Sequence, residues 1–229
     1  MRSLLRWAWL PVLAGAAAFA AHAARRPAPP VARWQALRVP PDSAWTELPV
    51  AGRVGQVDVG PDGRLWMGSA QGEIFVADSI GGDWRAALPG PDPNDTSLDF
   101  ISLPTIDRVT WLGPRTAIAS GYIRRGDADA TDAVLRTTDG GVRWDTVSFG
   151  VDQWVYDAFL DRNGGVWMGG SSGTLVFSGD SGRTWKTVSR PFDASGRLRS
   201  IWIEDGRTGV AAALANEFRL TRDGGRTWR

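Results

Sequence analysis

In 229 residues the chain has no cysteine, one histidine (His22), one lysine (Lys186), two tyrosines and three methionines. The missing cysteine excludes disulfide frameworks, thiolate zinc sites, iron–sulfur clusters, cysteine nucleophiles and a lipidated N-terminal cysteine. A formal net charge of +1 gives no field that would draw nucleic acid. One lysine among so many arginines reflects base composition and not phosphate recognition. What the chain does have is 28 glycines, 14 prolines and 13 tryptophans. Tryptophan is the unusual figure.

The N-terminus reads as an address. A short basic segment, Met1 to Arg6, precedes a low-polarity run of fifteen, Trp7 to Ala21, and Ala21-His22-Ala23 offers small residues for cleavage. Residues 1–23 are therefore expected to be a secretory signal peptide. The run falls short of the about 20 residues that span a bilayer, so an uncleaved anchor is the alternative. Arg25-Arg26 follows the apolar run, so a twin-arginine signal does not fit. Cleavage removes His22, and with it any Ser-His-Asp triad, His-ligated metal or histidine base. Residues 24–40, rich in Pro, Ala and Arg, read as an extended linker. The expected destination is the periplasm or the exterior, with no membrane association after cleavage and no cofactor.

Beyond residue 40 the chain repeats. Residues 137–144 (TTDGGVRW), 178–185 (SGDSGRTW) and 221–228 (TRDGGRTW) share the pattern [ST]-x-D-x-G-x-[TR]-W, with tryptophans spaced by 41 and 43. That period signals one supersecondary unit per repeat. A weaker copy, 79–84 (SIGGDW), keeps the glycine and tryptophan, and 43–45 (SAW) keeps little beyond Trp45. A second register agrees. Residues 63–68 (GRLWMG) and 164–169 (GGVWMG) each place a tryptophan, Trp66 and Trp167, 18 residues before a box tryptophan. Between them lie a strand, a turn (Gln71-Gly72, Ser172-Gly173), a second strand and the box, the pattern of an antiparallel hairpin. One repeat is then four short strands: 55–59, 64–68, 73–77 and a fourth begun by the box tryptophan. Tandem four-stranded units of about 40 residues predict an all-β fold, a β-propeller of four-stranded antiparallel blades. A β-sandwich, the runner-up, has no reason for a regular period.

The residues Thr137, Asp139, Gly141, Trp144; Ser178, Asp180, Gly182, Trp185; and Thr221, Asp223, Gly225, Trp228 resemble the Asp-box, or BNR, repeat of sialidase-like and related propellers. The first box departs from that pattern at Arg143, where threonine is usual. The resemblance implies a propeller. It does not imply one activity, because the repeat is shared by sialidases, xyloglucan-cleaving enzymes, sorting receptors and non-catalytic assembly factors. The chemistry of the box points to structure. An Asp in a tight turn accepts backbone N–H bonds, Ser or Thr does the same, and glycine takes positive φ. The three aspartates are thus expected to be turn locks and neither catalytic groups nor calcium ligands.

Departures from the period point to function. Trp84 to Trp144 spans 60 residues, about 19 more than its neighbours. The extra material lies at 89–104 and 121–132, in two connections that an up-and-down blade places on one face, opposite the boxes. Insertions on a rigid scaffold are where binding concentrates. Asp92, Asp95, Asp99, Tyr122, Arg124, Arg125, Asp127, Asp129 and Asp132 therefore form the candidate partner-binding face. Asp127-x-Asp129-x-x-Asp132 lacks the glycine and terminal glutamate of an EF-hand loop.

Three functions compete. The first is an exported non-catalytic scaffold for a protein or glycan partner, similar to the photosystem II assembly-factor-like branch of these propellers. The second is a glycosidase; the Phe/Tyr-Arg-Ile-Pro motif of sialidase-like sites is absent, and an Asp pair from the insertions is the alternative. The third is a piece of a larger ring. Residues 41–229 hold about four and a half periods, which fits a propeller incomplete at its C-terminus, prone to self-association if open. The alternative is a small ring closed by Trp45 to Val50 pairing with the last sheet.

Overall fold

Short apolar runs punctuated by glycine turns bury two faces only if each small sheet stacks on another. The computed structural model describes residues 53–90, 104–123, 131–192, 196–214 and 216–229, and every helix or strand within them is a β-strand. The first blade comprises β1 (Val54–Val59), β2 (Leu65–Ser69), β3 (Ile74–Ala77) and β4 (Trp84–Leu88). The second comprises β5 (Thr105–Trp111), β6 (Ala117–Tyr122), β7 (Ala133–Thr137) and β8 (Asp145–Ser148). The third comprises β9 (Val155–Leu160), β10 (Val166–Gly170), β11 (Leu175–Ser178) and β12 (Lys186–Ser189). The fourth has β13 (Leu198–Ile203), β14 (Gly209–Ala213) and β15 (Phe218–Thr221). Each sheet is an antiparallel meander in chain order. In the fourth, Arg229 exchanges two backbone bonds with Leu220, at 2.9 and 3.0 Å. It takes the place that Lys186 holds opposite Phe177, the first residue after a box tryptophan. The fold is the expected β-propeller architecture, with strand limits within a residue of those read from the repeat in the first blade.

The boxes are turn locks with one geometry. In the second blade Asp139 Oδ1 accepts the backbone N–H groups of Val142 and Arg143 at 3.0 Å, and Thr137 Oγ1 accepts that of Gly141 at 3.0 Å. The third and fourth blades repeat this, and there Thr184 and Thr227 each add a hydroxyl donated to the aspartate at 2.6 Å. Arg143 cannot make that bond. The donors hold all three carboxyls below the ordinary 3.8: Asp139 chiefly through the Arg143 N–H, and Asp180 and Asp223 chiefly through the threonine hydroxyls, with Asp223 at about 2.

The box also sets the blade spacing. A Cβ on Gly141 would stand 2.5 Å from the Trp66 ring of the preceding blade; one on Gly182 would stand 3.2 Å from Ile118, and one on Gly225 2.9 Å from Leu175 and 3.6 Å from Trp167. Trp66, Ile118 and Trp167 are the second residues of β2, β6 and β10, so each box glycine sits on the blade before it. Three apolar cores fill the gaps between blades. Trp66, Val76, Ile106 and Val109 join the first and second; Ile118, Val134, Ala158 and Met168 the second and third; Trp167, Leu175, Leu198 and Ile201 the third and fourth. Trp144, Trp185 and Trp228 pack at the margins of these cores in turn.

One repeat position differs in a telling way. Buried Asp161 closes the β9–β10 turn by accepting N–H bonds from Asn163 and Gly165, and its other oxygen accepts Trp167 Nε1 at 2.8 Å. Gly60 stands at the equivalent place in the first blade, and the Trp66 indole N–H has no acceptor there.

These geometries give two expectations. Gly140 and Gly141 have nearly equal φ, +84° and +88°, but only Gly141 lacks room for a Cβ. Gly140→Ala should cost about 1 kcal/mol in urea unfolding and Gly141→Ala about 2–4 kcal/mol, the excess being the collision with Trp66. Because the folded-state carboxyls are depressed, the box contribution is fully present above pH 4 and lost as pH falls toward 2. Arg143→Thr, which gives Asp139 the hydroxyl its counterparts use, should raise the melting temperature by about 1–3 °C at pH 7 and lose that gain in acid.

Candidate partner-binding face

The first strands of the blades, β1, β5, β9 and β13, lie side by side along the axis. Each contributes to one ionic network. Arg108 of β5 pairs with Asp157 of β9 and lies 3.7 Å from Asp58 of β1. The second oxygen of Asp157 accepts Ser200 Oγ at 3.0 Å and the Ile201 N–H at 2.8 Å, both from β13. Asp157 is thus fully committed. Burial pushes Asp58 above its ordinary value against the pull of Arg108, and one of its oxygens has no partner.

Above this network the strands open into a funnel. Its cavity of about 540 Å³ is lined by the entry residues of all four first strands, among them Arg53, Asp107, Trp154, Tyr156, Arg197 and Arg199. Tyr122, Trp154 and Tyr156 form a continuous aromatic row with ring centroids 5.4 and 5.9 Å apart. A neighbouring recess beside Tyr122, Asp152 and Gln153 extends the row. The Arg199 guanidinium lies 5.1 Å over the Tyr156 ring. Asp107 positions the rest: it accepts the Trp154 indole N–H and pairs with Arg53 at 2.7 Å. Trp154 is fixed a second time by its own N–H, donated to Ser171 Oγ at 2.9 Å. Gln153, fully buried beside it, donates to the Thr174 carbonyl at 3.1 Å. The arrangement is a set of flat apolar surfaces held rigid between exposed guanidinium groups, suited to carboxylates flanked by apolar or aromatic side chains.

Of the residues singled out in the sequence, Tyr122 joins this face. Asp132 does not: it is buried, accepts the Ser148 hydroxyl at 2.5 Å and ties β7 to β8. Asp92, Asp95, Asp99, Arg124, Arg125, Asp127 and Asp129 lie outside the described residues. Sequence reasoning missed Arg53, Asp107, Trp154, Tyr156, Arg197 and Arg199. Their signal was available in the repeat, since they fall in two columns at the start of the first strand: Arg53, Trp154 and Arg197 align with Thr105, and Asp107, Tyr156 and Arg199 align with Gly55. A second cavity of about 520 Å³ opens between the third and fourth blades on the box side, but its acidic groups Asp161 and Asp223 are the turn locks described above. Among the described residues no group of three or more His, Asp or Glu side chains could hold a metal ion.

The fold and funnel define a β-propeller with a polar, aromatic-lined upper face. No family model matches the chain. A Paenibacillus xyloglucanase is 25% identical over 140 residues, 57% of this chain and 14% of the enzyme. Among solved structures, YCF48 bound to a D1 peptide superposes with a TM-score of 0.54 at 15% identity, covering 80% of this chain and 54% of that one. The GH74 xyloglucanase of Xanthomonas campestris gives 0.55 at 16% identity, covering 76% and 29%. The chain therefore spans about half of YCF48 and a smaller part of the glycosidases, and at these identities the structural likeness is one of fold.

Removing the charge at the centre of the axial network gives a sharp expectation. Arg108→Met leaves Asp58 and Asp157 without their cation, and should cost about 3 kcal/mol, the low end for such pairs because Arg108 keeps a quarter of its side chain exposed. Asp58 has a raised folded-state value, so its ionised form opposes folding as pH rises and protonation relieves it. The loss, read by urea unfolding, should be larger at pH 7 than at pH 4.5.

Proposed function

We propose that this chain is an exported, non-catalytic propeller that binds a protein partner on its upper face and serves as an assembly scaffold. One observation carries the reading: the Tyr122, Trp154, Tyr156 row set among Arg53, Arg197 and Arg199 at the axial funnel. Such a surface grips an extended acidic segment through guanidinium–carboxylate bonds while rings cover its side chains. The D1 peptide held by YCF48 supports the idea that a propeller of this architecture can hold a peptide. The turn boxes, on this reading, are Asp-box repeats serving as scaffold, and residues 1–23 direct export.

A second reading, glycan hydrolysis, is favoured by the partial likeness to a xyloglucanase and by the raised Asp58 carboxyl. It needs two carboxyls able to exchange protons, one on each side of a sugar linkage. Asp157, the nearest candidate for the second, spends both oxygens on Arg108, Ser200 and Ile201.

Trp154 fluorescence and calorimetry with a ten-residue acidic peptide, set against its lysine-substituted counterpart, test the first reading. The acidic peptide should bind, weaken with salt, and lose at least about tenfold in affinity with Arg197→Ala/Arg199→Ala and with Trp154→Ala. Equal affinity for the two peptides, or indifference to these variants, would refute it. Release of reducing sugar from xyloglucan, abolished by Asp58→Asn, would establish the second reading instead.

A further inference from the structure

The repeat puts equivalent side chains at the outer seam of each blade, and on the first two blades their charges are balanced within the protein. On the first, Arg85, paired across the sheet with Val76, forms an ion pair with Asp78 at 3.0 Å. On the second, the same two positions hold Asp145 and Arg136. Arg136 crosses to the third blade, where its Nε donates to the Ser181 carbonyl at 2.8 Å. It stands in the field of Asp145, Asp180 and Arg183, so two cations face two carboxylates. On the third blade the pair is Lys186 and Phe177, and Gly179 stands where the first blade has Asp78. The Phe177 ring stays on its own blade, 4.5 Å from that of Trp167, and the Lys186 ammonium lies 5.0 Å over it. At this level the cavity of about 520 Å³ opens between the third and fourth blades.

Lys186 shares this cavity with Arg207 and Arg226 of the fourth blade, and none of the three forms an ion pair among the described residues. Arg207 has only the exposed carboxylate of Asp205, on its own turn, in its field. The two carboxylates of the lining are occupied on both oxygens by donors of their own turns, Asp161 by Asn163, Gly165 and Trp167, and Asp223 by Arg226 and Thr227. The lining thus keeps one positive charge in excess, beside an apolar wall of Trp167, Phe177 and Val188. Its volume lies within the about 300–1,000 Å³ of small-ligand sites. We infer that this cavity binds a phosphate monoester carried on a ring-sized apolar body, the phosphate among Lys186, Arg207 and Arg226 and the ring against Phe177 and Val188. Three terminal oxygens can meet three cations drawn from two blades, where the two oxygens of a carboxylate cannot. The contrast with the other seams rests on Gly179 and Phe177, inside the third blade. The site lies on the box side, so it does not depend on peptide binding at the upper face.

Lys186 is the single lysine of the chain, so a carbon-13 dimethyl label, which keeps its charge, reports from this cavity, with the α-amine as the other labelled group. Titration with phenyl phosphate should shift the Lys186 signal saturably. Calorimetry should give phenyl phosphate at least about tenfold higher affinity than inorganic phosphate, which lacks the ring, and than benzoate, which lacks the third oxygen. Lys186→Gln, read by calorimetry, should weaken phenyl phosphate at least about tenfold. Gly179→Asp, which supplies the carboxylate that balances Arg85 in the first blade, should do the same. Both positions are exposed, and a Cβ on Gly179 meets the Phe177 ring at 3.5 Å, an ordinary contact. Near-UV circular dichroism checks that the variants stay folded. No saturable shift at Lys186 overturns the proposal. So does inorganic phosphate or benzoate binding as tightly as phenyl phosphate, and so does an affinity that either variant leaves unchanged.

Discussion

The contact between a box glycine and the second strand of the preceding blade is the constraint on which the rest depends. At Gly141 two requirements meet in one atom: φ of +88° disfavours any side chain, and the Trp66 ring occupies the place a Cβ would take. The hydrogen bonds to Asp139 and Thr137 hold the turn in the shape that brings this glycine forward. Turn chemistry and blade stacking are therefore one event. Loss of the local bonds lets the glycine retreat from the ring, and a crowded glycine strains the local bonds. The large ring at the seat does what no hydrogen bond across the gap could do, by excluding water over an area that a glycine backbone then covers closely.

Fixing the outer ends of the blades has a consequence at the axis. Once stacking sets the angle between sheets, the four first strands are driven together. Their polar residues are then crowded together, and Arg108, Asp58, Asp157 and Ser200 meet around one cation shared by two carboxylates. Such a network contributes less net stability than a hydrophobic plug of equal size would. What it supplies is position. Asp157 locks β9 to β13, Asp107 one residue before Arg108 holds the Trp154 indole, and the aromatic row inherits the rigidity of the axis.

Much of this was legible in the sequence because the repeat writes the same physics several times. The boxes, the matched Trp66 and Trp167, the strands they bound and the long connections of the second blade all follow from the period. The funnel was not legible in the same way. Arg53, Trp154 and Arg197 share a repeat column, but a column does not say which side chains meet until the first strands are placed side by side. The acidic residues of the second insertion drew attention through composition, yet burial depends on pairing, and Asp132 turns inward to Ser148. The contrast of Gly60 with Asp161 was likewise hidden, because its meaning lies in an indole N–H whose acceptor one blade has and another lacks.

The two ends of the blades thus carry opposite constraints. At the box end Asp139, Asp180 and Asp223 each spend Oδ1 on backbone N–H groups of their own turns, and Asp180 and Asp223 spend Oδ2 on a threonine hydroxyl. Acidic groups so committed have little left for a ligand, which is why three evenly spaced aspartates mark scaffold. At the other end the first strand starts free of the box, and the column that holds Arg53, Thr105, Trp154 and Arg197 differs from blade to blade. There the fold carries three kinds of side chain, Arg, Thr and Trp, at four equivalent positions around one axis. A repeat protein makes an asymmetric site from symmetric parts at such a column, and in this chain the column sets two guanidinium groups around the Trp154 ring, the middle ring of the aromatic row.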